Sequence, residues 1–147
     1  MMNHLMKKTK LYILIFLIVF FFQNNGFAKD NYFIEGKKLF NENKFSESKF
    51  KFEQDIVFNP KSEKSYLYLA KIFNQEDNDD LEEQNLNTVI LLNPQNEEAI
   101  YLLALLKIKK SDYEESGKLI ENFKKVCKVF CNKQIELNTK LKSLETK

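Results

Sequence analysis

The chain has 147 residues, 44% of them hydrophobic and 30% charged, which is material for one packed domain rather than two. Its formal charge of +2 rests on a lysine-rich start: residues 29–147 hold 20 lysines against 21 acidic residues, interspersed, with no basic block of the kind that contacts nucleic acid. The only histidine is His4, and no glycine-rich loop or nucleophile elbow follows it. An enzyme, a cofactor and a small-molecule substrate are therefore not expected.

In chain order, Lys7, Lys8 and Lys10 come first without any acid, then residues 11–22 run LYILIFLIVFFF without a charge, and Gly26-Phe27-Ala28 closes a short polar stretch. A positive end, a short apolar run and small residues in that order describe a secretory signal peptide. Cleavage is expected after Ala28, with delivery of the remainder to the periplasm. The 12-residue apolar run falls short of the roughly 20 helical residues that cross a bilayer. The alternative is an uncleaved helix holding a structural envelope protein at the inner membrane, and only in that case is a membrane contact expected. The absence of arginine and tryptophan, with abundant lysine, asparagine, phenylalanine and isoleucine, suggests an AT-rich bacterial genome.

From residue 29 the chain repeats itself at a spacing of 34. Asn59-Pro60 returns as Asn93-Pro94, and the same spacing links Tyr32, Tyr66 and Ile100, then Gly36, Ala70 and Ala104, then Phe52, Leu86 and Ile120, then Phe58, Leu92 and Val126. Self-similarity at that period predicts stacked helical hairpins over residues 29–62, 63–96 and 97–130. Tyr32, Glu35, Gly36, Leu39 and Phe40 share one face of a helix starting near Asn31, and Phe45, Ser48, Phe52, Ile56 and Phe58 mark a second helix stopped by Asn59-Pro60. Tyr66, Leu69, Ala70 and Phe73 face Leu81, Leu86, Val89, Ile90 and Leu92 across the polar stretch 75–80. In the third unit Ile100, Leu103 and Ala104 lead to a helix with Tyr113, Ser116, Ile120 and Phe123, which Ser111 and Glu114 are expected to open as a capping box.

Gly36, Ala70 and Ala104 stand where the two helices of a hairpin approach closely, and Ser48 and Ser116 are the small residues opposite. Glu82 takes that second position in the middle unit and breaks the pattern. Paired carboxylates such as Asp79-Asp80 and Glu97-Glu98 lie at helix starts, where the backbone dipole favours negative charge.

Residues 132–145 are predicted to form a capping helix, with Leu137, Leu141 and Leu144 on its apolar side and Asn138, Thr139, Lys140 and Lys142 on its polar side. Cys127 and Cys131 flank the connection to it. A disulfide is favoured for an exported chain, and it requires a break in the helix near residues 128–130; free thiols, or a redox or metal role, are the alternatives. Zinc is not expected, because residues 29–147 offer these two thiols and no histidine.

The residues resemble the tetratricopeptide repeat family. Tyr66, Leu69, Ala70, Phe73, Leu86 and Pro94 match its pattern, as do Tyr32, Gly36, Leu39, Phe45, Ser48, Phe52 and Pro60, with Glu35 at a usual leucine position. The third unit matches at Leu103, Ala104, Tyr113, Ser116 and Ile120 and departs at Lys107 and Lys128. The resemblance implies an all-α fold, an α-solenoid of three helical hairpins with a C-terminal cap, acting as a protein-protein interaction scaffold whose first helices line a concave groove for a protein or peptide partner. By repeat register that groove carries Phe33, Lys37, Phe40 and Asn41, then Leu67, Lys71, Asn74 and Gln75, then Tyr101, Leu105, Ile108 and Lys109, with Lys37, Lys71 and Lys109 able to meet acidic groups. Packing between hairpins is the competing role for Phe33, Phe40, Leu67 and Tyr101. The family's carboxylate-clamp places fall on Phe33, Lys37, Tyr68, Glu98 and Leu102, of which only Lys37 suits a carboxylate.

Overall fold

A computed structural model describes residues 31–145, and the side chains up to residue 143. The expected signal peptide and its cleavage point at Ala28 lie outside the described residues, as does the side chain of Leu144. The unit described below is Tyr32–Lys147, with Asn31 at its start. It consists of seven helices among the described residues: α1 (Asn31–Asn41), α2 (Phe45–Phe58), α3 (Glu63–Gln75), α4 (Asp79–Leu92), α5 (Glu97–Lys109), α6 (Tyr113–Val126) and α7 (Lys133–Glu145). The fold is all-α, an α-solenoid of three antiparallel hairpins closed by a single helix, as the 34-residue period implies.

Each hairpin turns through the same backbone device. Asn43, Asp77 and Ser111, again 34 apart, hold φ of 58°, 52° and 60°. The amide after each reaches back to the last turn of the first helix: Lys44 N–H donates to Leu39 O (3.0 Å), Asn78 N–H to Phe73 O (2.9 Å) and Asp112 N–H to Lys107 O (2.9 Å). A left-handed residue followed by this long bond is the standard way to satisfy the carbonyls left over at a helix end. The turn also moves the cap expected at Ser111. Ser111 is consumed as the left-handed residue, and Asp112 instead caps α6 by accepting from Glu115 N–H at 3.3 Å.

Between hairpins, proline sets the boundary. Asn59 and Asn93 end α2 and α4 in non-helical conformations (φ −133° and −142°), because the following Pro60 and Pro94 exclude the helical region. The third boundary has no proline. There Glu97, the residue 34 beyond Glu63, accepts from the Val129 and Phe130 amides at 2.9 and 2.8 Å. Glu63 holds the preceding boundary by accepting from the side chains of Asn93 (3.0 Å) and Asn96. Cys127 ends α6, and Cys127 and Cys131 form a disulfide across the non-helical link to α7, their Cα atoms 5.2 Å apart. The helix break that such a bond requires is therefore present.

Two apolar clusters run through the stack. Phe52, Leu69, Ile72 and Phe73 join the first and second hairpins. Leu86, Val89, Ile100, Leu103, Ala104, Ile120, Phe123 and Leu137 are among those joining the second, the third and α7. Close helix approach is visible at the small positions: Ser48 Oγ donates to Gly36 O at 2.8 Å and Ser116 Oγ to Ala104 O at 3.2 Å. Buried Asp55 accepts from the Ser62 and Ser65 hydroxyls and so ties α2 to the start of α3. Lys107, the basic residue at an apolar register position, pairs with Glu83 at 2.7 Å, its side chain mostly covered. That pairing holds the Lys107 ammonium above, and the Glu83 carboxyl below, their ordinary ranges.

Candidate functional site

The first helices, α1, α3 and α5, carry the residues read as a groove, and the stacking of hairpins sorts them into three groups. Phe33 and Phe40 are half-buried and converge on Tyr68, with ring centroids 5.8 and 5.0 Å away. Phe52 stacks on the same tyrosine at 5.0 Å, so these rings form the seam between the first two hairpins. Burial pushes the Tyr68 phenol upward in pKa, with the Glu98 charge adding to it.

The second group is removed from the groove surface. Leu67, Tyr101 and Ile108 are buried in the core joining the second and third hairpins, and Leu105 packs against that core half-buried. Tyr101 is covered from the C-terminal side: its ring lies 6.2 Å from that of Phe123, and Lys133 Nζ of α7 sits 5.5 Å from its centroid. Burial, and then a hydrogen bond with Glu136, raise the Tyr101 pKa. The expected groove contact at Tyr101 is thus replaced by the cap, because α7 occupies the place where a further hairpin's first helix would stack.

The third group forms a pocket. Phe40 of α1, Lys71, Asn74 and Gln75 of α3, Glu82 of α4 and Leu102 of α5 line a volume of about 280 Å³. Four of these six belong to the groove read from the sequence. Leu102 comes from the same register position as Tyr68. Glu82 is the departure from the small-residue column, and that irregularity was the signal available for it. Its side chain points inward from α4, only 2% exposed, and accepts from Asn74 Nδ2 at 3.0 Å. Burial raises its pKa against the lowering effect of that bond, with the Asp79 charge raising it further and Lys109 lowering it.

The lysines expected to face a ligand are largely engaged. Lys71 Nζ lies 2.6 Å from Glu98 of α5 and 4.9 Å from the Tyr68 ring centroid. Lys109 bridges to Asp79 at 2.7 Å and Asp77 at 3.3 Å, which raises its pKa. Lys37 and Asn41 are exposed on α1, and Lys37 makes no ion pair among the described residues. The pocket holds one carboxyl, two amides and a neutralised ammonium between two apolar walls. No serine, cysteine or histidine lines it, and among the described residues no group of three or more His, Cys, Asp or Glu is placed to hold a metal ion.

No family model matches the sequence, and no curated protein matches it. Solved structures do match the fold. The TPR2B domain of yeast Sti1, in a complex described as pHsp70, superposes with a TM-score of 0.73 at 14% identity over 79% of this chain and 97% of that one. The Yersinia enterocolitica type III secretion chaperone SycD, bound to a peptide of the translocator YopD, gives 0.73 at 11% identity over 83% and 98%. The first TPR of Spaghetti (RPAP3), bound to the HSP90 peptide SRMEEVD, gives 0.70 at 17% identity over 78% and 90%. With its three hairpins, left-handed turns and 34-residue period, the chain has the fold of a tetratricopeptide-repeat domain.

Proposed function

We propose that this chain is a non-catalytic adaptor of the bacterial cell envelope that holds a segment of another protein in the groove of its first helices. The observation that carries the reading is the pocket between Phe40, Lys71, Asn74, Gln75, Glu82 and Leu102, to which all three hairpins contribute. Structures of the same fold that are bound to peptides support a groove of this kind as a place for a chain segment. Export to the periplasm is supported by the signal-like order of residues 1–28 and by the Cys127–Cys131 bond, a cross-link that persists in oxidising compartments.

Photo-crosslinking in cells tests the groove. A photoreactive side chain at Gln75, which lines the pocket, is expected to capture a protein partner; the same probe at exposed Gln84, about 200° around α4 from Glu82, is not. Adducts from Gln84 alone move the site to the outer surface. The mass of the purified chain tests export: loss of the first 28 residues and recovery from the periplasm are expected, and an intact amino terminus in membranes favours the anchored alternative.

A further inference from the structure

Within the pocket the two charged groups differ in one respect. Lys71 has its counter-charge in place, with Glu98 at 2.6 Å. Glu82 has none in contact: its one hydrogen bond comes from the neutral amide of Asn74, through Oε2. A glutamate that is only 2% exposed as a residue and whose carboxyl faces an amide is an expensive way to fill a position where the first and third hairpins use serine. The pocket it lines also has two apolar residues in its lining, Phe40 and Leu102. Asn74 gives one of its two N–H donors to Glu82 and keeps its amide oxygen as an acceptor for a third party, and Gln75 brings a second amide. An ammonium has three donors and no acceptor, and a lysine stem of four methylenes packs against apolar walls while its head seeks a carboxylate. A volume of about 280 Å³ has room for one such side chain.

Building on the groove reading above, we propose that the pocket is a lysine-accepting site: the bound protein segment inserts a lysine side chain between Phe40 and Leu102 and sets its ammonium on Glu82, Asn74 and Gln75. Glu82 then supplies the specificity of the groove, with an acid where the repeat pattern calls for a small residue. The preference is for a basic segment, the reverse of the acidic one that Lys37, Lys71 and Lys109 suggest when read alone.

The test uses the chain from residue 29 onward and an array of 12-residue peptides of random composition, probed with the unaltered protein and with Glu82→Ser, which restores the residue type of the flanking repeats. Bound peptides are expected to share a lysine whose replacement by norleucine, the same stem without the ammonium, weakens binding at least tenfold. Glu82→Ser is expected to bind the lysine and norleucine forms alike. NMR contact shifts at Asn74 and Gln75 locate each peptide. Nα-acetyl-lysine methylamide, used as a minimal probe, should shift the same signals in a saturable way where the norleucine analogue does not. Peptides that bind at Asn74 and Gln75 without regard to lysine overturn the lysine site and leave the groove standing. Failure of any peptide to bind there overturns both.

Discussion

The Cβ atom that Gly36 lacks would lie 2.8 Å from Cε1 of Phe52. Phe52 is fully buried and fixed between Phe33 and Tyr68, so its ring has no room to withdraw. The other hairpins solve the same contact with a different size ratio, alanine at positions 70 and 104 and aliphatic Leu86 and Ile120 at the register of Phe52. Alanine in a helix is ordinarily about 1 kcal/mol better than glycine, whereas overpacking a filled core costs roughly 1–3 kcal/mol. Gly36→Ala is therefore expected to destabilise the chain by about 1 kcal/mol in urea unfolding. Adding Phe52→Leu should make the alanine tolerable again, so that the two changes couple; simple additivity in a double-mutant cycle would refute the steric account.

Glu82 should be a net cost to the fold. Its folded pKa is raised mainly by burial, so the ionised form is disfavoured in the native state, and native stability rises as pH falls through that value. Glu82→Ser removes the buried carboxyl and offers Ala70 O the hydroxyl that Gly36 O and Ala104 O already receive. A stabilisation of about 1 kcal/mol at neutral pH is expected, shrinking on acidification. Equal stability at pH 7 would mean that Asn74 fully compensates the charge.

Reduction of Cys127–Cys131 is expected to loosen α7 while the three hairpins persist. Closing so short a loop is worth about 2 kcal/mol in the chain-entropy account. Hydrogen exchange after reduction, or in Cys127→Ser with Cys131→Ser, should accelerate in α7 and leave α3 and α4 unchanged; uniform acceleration would show that the bond supports the whole stack.

The cap should also respond to acid. Lys140, then Lys133 and Tyr101, hold the Glu136 carboxyl at about 2, down from an ordinary 4.5, and the Phe130, Lys128 and Val129 backbone lowers that of Glu97. A carboxylate with a depressed folded pKa stabilises the native state above its unfolded value, and that contribution is lost as pH falls through the folded one. Exchange at the Val129 and Phe130 amides is thus expected to speed up, after correction for intrinsic rates, as pH falls below 4.5. The trend opposes that of Glu82, and Glu136→Gln should remove part of it. Both carboxylates are partly open to solvent, so the effect should weaken in high salt.

Most of the architecture was legible because identical contacts recur at a fixed spacing: Gly36, Ala70 and Ala104 announce hairpins without any knowledge of their neighbours. The boundary and turn chemistry was legible only in part. Asn43 and Asp77 suit a left-handed residue, but Ser111 suits a cap equally well, and the choice of Asp112 is made by the bond back to Lys107. The groove was harder still. Register tells which residues leave α1, α3 and α5 on the same side, yet whether Tyr101 meets a ligand or α7 depends on contacts 30 residues away in sequence. The same holds for Lys71, whose partner Glu98 belongs to the next hairpin. Glu82 was visible as an exception before its surroundings were known, and exceptions to a repeat are where such a chain can carry something of its own.

The capping helix keeps the phase of the repeats. Leu69, Leu103 and Leu137 are spaced by 34, and all are buried, at 2%, 4% and 0% exposure. The described residues therefore hold three and a half units, the last represented by its first helix. The length of this scaffold then becomes an adjustable quantity: a further copy of residues 63–96 placed between Asn96 and Glu97 preserves the phase, keeps Glu97 beside the Val129 and Phe130 amides, and lengthens the stack by one step with the existing cap retained.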